Sequence, residues 1–236
     1  MSMLVWDRME DRLYETGVSH GVLFPKIDGK YSNGVVWNGL TAVTESPSGA
    51  EPTALWADDI KYLELMSVEE FGCTIEAYTY PDEFMTCDGS FDAAATTVGD
   101  VTTPGGVYIG QQTRTPFGFS YRTVLGNADE KNDHGYKLHL IYECMASPSE
   151  KAYATINDSP EAITFSWEVT TTPLETGSNT RPTASITIDS TKVVPAKLDS
   201  FLEILYGKAA VTEGTPSPGV PAKLPTPKEV IAHFAA

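Results

Sequence analysis

Apolar and polar side chains alternate with a period of two in several short stretches, and this pattern constrains the fold more than any other feature. In residues 164–169, Phe165, Trp167 and Val169 lie on one side of an extended chain and Glu168 on the other. The same alternation occurs in residues 73–80, 137–144 and 184–189. It is typical of antiparallel strands with one buried face.

Other segments have strand composition without a clean alternation. Residues 33–46 are rich in Val and Thr, with Gly39 as a candidate bulge, and residues 106–112 and 115–123 form two further candidate strands around Pro116. A short helical turn is predicted at 148–153. Two long stretches, 46–59 and 88–106, are predicted as loops, and loops of this length in a compact domain are usually functional or disordered.

Helical spacing occurs near the C-terminus. After Pro195, apolar residues recur every three or four positions and Gly207 provides a stop; the apolar residues are Leu198, Phe201, Leu202 and Leu205. Thr226, Pro227 and Glu229 form the start signal of a second, shorter helix.

The predicted fold is therefore mainly β: two packed antiparallel sheets, as a sandwich or open barrel, with one flanking α-helix and a short C-terminal helix. We predict a β domain over residues 1–208, a Pro-rich linker over 209–225 that carries four prolines, and a docking helix or arm over 226–236.

The charge excludes one class of function. The chain has 236 residues, with 32 Asp and Glu against 16 Lys and Arg, and a formal net charge of −16. Residues 1–100 hold 18 of the acids and only five of the bases. Because binding of nucleic acid depends on clustered Lys and Arg, we expect no surface that grips DNA or RNA.

Three cysteines without C-x-x-C spacing fit a reducing compartment and offer no zinc site. The first ten residues lack the apolar run of a signal peptide, and no stretch approaches the ~20 apolar residues that span a bilayer. We therefore expect a soluble protein without membrane partners.

Motifs of catalysis are missing from the sequence, which has no nucleophile elbow, phosphate-binding loop, zincin or dinucleotide signature. The four histidines are scattered, and His139 is predicted to be a half-exposed surface residue of a strand. The neighbouring Asp82 and Glu83 could in principle act on a glycosidic bond, but a turn explains them equally well. We predict no enzyme, no cofactor and no metal.

Several runs spread along the chain together resemble the major tail (tail tube) proteins of long-tailed, siphovirus-like bacteriophages. They are residues 14–18, 21–23, 34–41, 45–51, 77–84, 133–139, 156–162 and 165–169. The likeness covers nearly the whole chain and lies in the running sequence, without a catalytic motif. The Pro-rich stretch 211–223 has no counterpart in this pattern.

The resemblance implies a structural virion protein that forms hexameric rings, in which one sheet of each subunit joins its neighbours around a lumen. The rings would stack into a tube that surrounds a tape-measure protein and conducts DNA during genome ejection. Tail terminator and baseplate or initiator proteins would be further partners. The location implied is the virion tail, assembled in the cytoplasm of the bacterial host.

Three sets of residues become candidates for these roles. Glu76, Glu168 and Asp189 lie on polar faces of strands and are candidates for the lumen, where their charge would repel phosphates. Residues of the first long loop are candidates for ring stacking: Ser46, Pro47, Gly49, Glu51, Trp56, Asp58 and Asp59. The end of the linker and the last helix supply the candidates for a C-terminal arm: Pro225, Val230, Ile231 and Phe234.

Three other interpretations stay open at this point. One is a related single-ring part of the tail, such as a terminator or baseplate protein. The second is a surface-displayed carbohydrate-binding β-sandwich with an aromatic platform of Tyr78, Tyr80, Phe84 and Phe91, although packing in the core or at an interface explains these residues more simply. The third is an enzyme with carboxylate chemistry, which only the abundance of acids favours.

Overall fold

The structure is a computed structural model that describes residues 4, 6–9, 12–98, 101–156, 158, 161–177, 180–210 and 219–235. Strands hold 45% of the chain and helices 12%, so the fold is mainly β. The predicted class, antiparallel sheets with few helices, is confirmed. Most of the Pro-rich stretch, residues 211–218, lies outside the described residues.

The strands, in chain order, are β1 (Tyr14–Ile27), β2 (Lys30–Tyr31), β3 (Val35–Trp37), β4 (Leu40–Glu45), β5 (Pro52–Ala57), β6 (Ile60–Met66), β7 (Gly72–Ala77), β8 (Phe91–Asp92), β9 (Thr96–Val98), β10 (Val101–Thr103), β11 (Tyr108–Ile109), β12 (Phe117–Asn127), β13 (Lys131–Ala146), β14 (Phe165–Thr171) and β15 (Ser185–Asp189). The helices are α1 (Phe84–Cys87), α2 (Pro195–Tyr206) and α3 (Pro227–Ala235).

Nine strands form one sheet in the order β2-β1-β12-β13-β14-β7-β4, with β15 joined to β13 and β3 joined to β1. β13 pairs with β12 along most of its length, with β15 at residues 137–141 and with β14 at residues 144–146. Glu143, with a φ of 47°, lies between the last two pairings. The sheet therefore passes there from one layer into the next.

Asn38 and Gly39 connect the two ends of the strand order. These two residues separate β3, which pairs with β1, from β4, which pairs with β7. Gly39 has a φ of 79°, a conformation that glycine adopts without strain. The two layers, β1-β12-β13-β15 and β14-β7-β4, are thus closed at both ends.

The inner core lies between the two layers and is built around aromatic rings. The Trp37 and Phe84 ring centroids are 4.5 Å apart, and the Trp167 ring lies 5.6 Å from Trp37 and 5.0 Å from Phe84. Trp37 Nε1 donates a hydrogen bond of 2.9 Å to the carbonyl oxygen of Thr79. All three rings are buried, so this cluster holds β3, α1 and β14 together.

A second core lies on the outer side of the β1-β12-β13 layer, under the helices. Phe24, Leu140 and Tyr142 from the sheet pack with Phe201 of α2 and Val230 of α3. Among the described residues, the β1-β12-β13 layer is therefore covered on both faces and the β14-β7-β4 layer on one. The order of layers is helices, first sheet layer, inner core, second sheet layer.

The helix signals in the sequence are confirmed. α2 ends before Gly207, which has a φ of 79°. At the start of α3, Glu229 Oε2 accepts a 2.7 Å bond from the backbone N–H of Thr226, and Thr226 Oγ1 accepts one of 3.4 Å from Glu229 N–H, which forms a capping box.

Other predictions for single segments were wrong. Residues 148–153 are not helical, and the stretch 88–106 contains the strands β8, β9 and β10. Asp92 orders that stretch by accepting backbone N–H bonds from Ala94, Gly105, Gly106 and Val107. The stretch 46–59 is a loop only up to Glu51, since β5 begins at Pro52.

Candidate assembly surfaces

The outer face of the β14-β7-β4 layer is a polar surface. Register places residues of the three strands side by side on this face, which we call the open face: Ala42, Thr44, Thr74, Glu76, Ser166, Glu168 and Thr170. Each is half-buried or exposed, while their neighbours along each strand point into the inner core. No Lys or Arg belongs to this set, so its formal charge is negative.

Two of the predicted lumen residues share the open face. Glu76 pairs with Ser166 in the register of β7 and β14, and Glu168 pairs with Thr74, so the two carboxylates are diagonal neighbours. Diagonal cross-strand neighbours lie about 7–8 Å apart. Within the described residues neither carboxylate forms an ion pair, so no cation offsets the formal charge of the face.

Asp189 lies elsewhere, at the end of β15 in the other layer. Its Oδ1 accepts bonds of 2.9 Å and 2.6 Å from the backbone and hydroxyl of Thr191, and Lys192 Nζ lies 3.3 Å from Oδ2. Burial raises the pKa of Asp189, but the bonds from Thr191 and Lys192 outweigh it and the pKa is lowered. Asp189 shapes the turn before α2 and is not brought together with Glu76 and Glu168.

β5 and β6 form a two-stranded hairpin, residues 52–66, which we call the hairpin arm. It is a sheet of its own, separate from the nine-stranded sheet. Asp58 and Asp59 form its turn with φ values of 52° and 62°, the pair of positive angles of a type I′ turn. Two candidate stacking residues are therefore the tip of the arm.

The hairpin arm exposes apolar side chains on both faces. Register places Leu55, Leu63 and Leu65 on one face and Trp56 and Met66 on the other, and Tyr62 lies at the register shift between Leu63 and Lys61. Every residue of β6 is exposed, and Trp56, Tyr62 and Leu65 are 70%, 66% and 55% exposed. An isolated two-stranded hairpin is marginally stable in water, so a surface of this kind is typical of an interaction site.

The other predicted stacking residues form the root of the arm. Ser46, Pro47, Gly49 and Glu51 are exposed and lead from β4 to β5. The root is fastened where the backbones of Ser48 and Glu70 exchange two hydrogen bonds of 2.8 Å. Gly49 has a φ of 84°, and a Cβ there would lie 2.3 Å from the carbonyl oxygen of Val68.

Replacing Gly49 by alanine should loosen the root of the arm. The new methyl group meets backbone at Val68, so the Ser48–Glu70 pairing has to open. We expect amide hydrogen exchange at Ser48 and Glu70 to rise at least about tenfold. Gly29→Ala is the matched control, since Gly29 has a φ of 79° with open space around it. Equal exchange in both variants would contradict the steric argument.

The predicted C-terminal arm is docked on its own chain in this structure. Pro225 and Val230 are buried, and the Phe234 ring lies 5.2 Å from that of Phe201 in α2. Lys197 Nζ donates a 3.1 Å bond to the carbonyl oxygen of Phe234. Ile231, in contrast to Pro225 and Val230, is exposed to solvent.

Sequence reasoning missed parts of these surfaces. The second strand of the arm, Ile60–Met66, was not predicted to contribute, although β-forming residues on both sides of Asp58 and Asp59 are a hairpin signal. The exposed apolar residues that precede β1 were also missed; they are Leu4, Trp6, Met9 and Leu13.

The aromatic platform proposed for carbohydrate is not formed. Phe84 is fully buried in the inner core, and the Tyr80 ring packs 5.4 Å from Trp167. Only Tyr78 and Phe91 of the set are exposed. Packing in the core, the simpler explanation of these rings, applies to Phe84 and Tyr80.

The prediction for His139 was also wrong. Its side chain is buried, and its ring stacks on Tyr121 with centroids 4.5 Å apart and 3° between the planes. His139 is buried because its side of β13 faces the end of the inner core, where Tyr121 covers it.

No helix in the described part of the chain combines the length and the apolar character that a membrane crossing needs. No model of a known protein family matches the chain, and a search of curated proteins also finds no match.

Proposed function

We propose that this protein is the subunit of a phage tail tube, a structural virion protein that forms stacked hexameric rings around a lumen. The tube would surround a tape-measure protein and conduct the genome during ejection, with terminator and baseplate or initiator proteins at its ends. Its place would be the virion tail, after assembly in the cytoplasm of the bacterial host. The sequence resemblance suggests this role, and two surfaces of the structure support it.

The observation that carries the proposal is the hairpin arm. A fifteen-residue hairpin with apolar side chains on both faces has little to stabilise it within its own subunit. Burial of such side chains contributes about 25 cal/mol per Å² of apolar surface. An arm that extends to a neighbouring copy would bury both of its faces there. Such a contact between different surfaces of two copies can repeat from subunit to subunit.

The open face supports the role of a conduit. In the described part of the chain it presents two carboxylates and several hydroxyl groups with no cation among them, so it would repel DNA phosphates and offer them no binding site. A ring of six copies would repeat these carboxylates around its axis. DNA then moves through the lumen without being held.

Electron microscopy of the purified full chain tests the proposal directly. In negative stain, at high protein concentration and moderate salt, we expect rings with a central hole that stack into tubes of uniform width. Single rings that never stack would favour a terminator or baseplate protein. Monodisperse small particles at every concentration, also with tail initiator proteins added, would contradict the proposal.

Reversing the charge of the open face should make assembled tubes retain DNA. In Glu76→Lys/Glu168→Lys, each subunit presents two cations where it had two carboxylates, and cations bind DNA most strongly at low salt. We expect tubes of this variant to protect a short duplex from nuclease. Glu203→Lys on α2 is the control, since Glu203 lies in the helical layer. If DNA binds to tubes of the double variant but the nuclease still digests it fully, the open face lies on the outside of the tube.

A further inference from the structure

The dipeptide Asn-Gly occurs twice in the chain, at residues 33–34 and 38–39, and the structure gives the two pairs different surroundings. Asparagine followed by glycine is prone to deamidation, because glycine has no Cβ that would obstruct the attack of its backbone nitrogen on the asparagine side chain. The attack requires that this nitrogen gives up its proton and that the peptide unit rotates. Hydrogen bonding and packing at the glycine decide both.

The first pair is held in place by the segment before α3. Gly34 N–H donates a 3.0 Å bond to the carbonyl oxygen of Ala222. A Cβ on Gly34 would lie 2.7 Å from the Phe24 ring and 2.9 Å from the Ala222 methyl group, so side chains are packed against the backbone there. Attack by this nitrogen on Asn33 would first have to break the bond and displace the packing.

The second pair has no such restraint. Within the described residues, the peptide unit between Asn38 and Gly39 neither donates nor accepts a hydrogen bond, and the Asn38 side-chain amide also has no partner. Both residues are exposed, in contrast to Gly34, which is half-buried. The Gly39 nitrogen can therefore give up its proton to solvent and approach Cγ of Asn38 without first breaking a contact.

The chain on either side of this peptide unit is fixed. Trp37, which precedes it, donates from Nε1 to the carbonyl oxygen of Thr79. Beyond it, the carbonyl oxygen of Gly39 accepts a 2.8 Å bond from the backbone N–H of Tyr78. The unrestrained part is thus a single peptide unit between β3 and β4, where the two layers are connected. A change of main-chain length at this point has to be absorbed by its neighbours.

We propose that Asn38 is a site of spontaneous deamidation, whose isoaspartate product loosens the connection between β3 and β4, while Asn33 stays intact. The Gly39 nitrogen forms a bond to Cγ of Asn38, and the side-chain NH2 leaves as ammonia with the proton that Gly39 gives up. Water then opens the succinimide at one of its two carbonyls, which yields aspartate or isoaspartate.

The products differ from the original chain in charge and in length. Both add one negative charge to the formal −16 of each copy. In isoaspartate the main chain also becomes one carbon longer, directly before Gly39. This inference goes beyond the proposed function and holds whether or not the protein forms a tube.

Peptide mass spectrometry of the full chain, incubated in mildly alkaline buffer, tests the choice of site. In the folded protein we expect Asn38 to deamidate at least about tenfold faster than Asn33, because the bond and the packing at Gly34 have to open first. Unfolding in urea removes this difference, and the two rates should then agree within about threefold. Equal rates in the folded chain, or faster loss of Asn33, would overturn the proposal.

Hydrogen exchange at the Tyr78 amide tests the structural effect, since this amide donates to Gly39 next to the added carbon. In the isoaspartate fraction we expect its exchange to be at least about fivefold faster than in fresh protein. Asn38→Asp carries the new charge on a main chain of normal length and should keep the original exchange. Asn38→Gln, which closes the ring far less readily, should keep it after the same incubation. Unchanged exchange in the isoaspartate fraction, or equal acceleration in Asn38→Asp, would overturn the proposed loosening.

Discussion

Replacing Trp56, Tyr62 and Leu65 together by serine should prevent tube formation at the concentrations at which the unaltered protein assembles, and should leave a folded monomer. All three side chains are exposed on the hairpin arm, so the subunit itself loses little when they are shortened. In an assembly that buries the arm, each would contribute about 1.5–3 kcal/mol. We expect the protein concentration needed for assembly to rise at least about a hundredfold, as measured by sedimentation and electron microscopy.

The matched control is a triple serine variant at exposed apolar positions outside the arm, Ile27, Val36 and Val194. It removes a comparable number of exposed apolar side chains and should leave the assembly concentration within about threefold of the original. Thermal unfolding should be similar for both variants. Normal tubes from the arm variant would exclude the arm from the contact between rings.

Replacing Trp37 by alanine should destabilise the subunit more than any other change considered. Trp37 is buried, contacts the rings of Phe84 and Trp167, and donates to Thr79 from the point where β3 passes into β4. Removal of a buried tryptophan costs about 3–5 kcal/mol of the free energy of unfolding, because a cavity remains. Urea unfolding followed by circular dichroism measures this loss.

Trp56→Ala provides the comparison within the same chain, since Trp56 is exposed in the hairpin arm. Its effect on the free energy of unfolding should stay within about 0.5 kcal/mol. Equal losses in the two variants would mean that the arm is packed against its own subunit in solution. That result would also weaken the proposed function.

The sequence predicts best those strands that have one covered face. In β7 and β14, Ile75 and Trp167 point into the core while Glu76 and Glu168 lie on the open face, so apolar and polar residues alternate. β1 was missed because its residues 21–25 are buried on both faces and show a continuous apolar run. The capping box of α3 was recognised because its signal is local.

The candidate surfaces could be predicted only in part. The acidic pair Glu76 and Glu168 follows from alternation and pairing, but the place of Asp189 depends on which of the two layers its strand joins. The hairpin arm shows no alternation, since both of its faces are exposed, and Pro47, Gly49 and Pro52 at its root indicate a loop. The burial of His139 follows from the closure of the two layers, which no local pattern encodes.

The order of layers has a practical consequence for engineering. α3 lies on the helical side of the molecule, and both sheet layers with the inner core stand between it and the open face. A fluorescent protein or enzyme fused after α3 would therefore be displayed on the side opposite to Glu76 and Glu168. If the open face lines a tube, such cargo would decorate the exterior and leave the bore unobstructed.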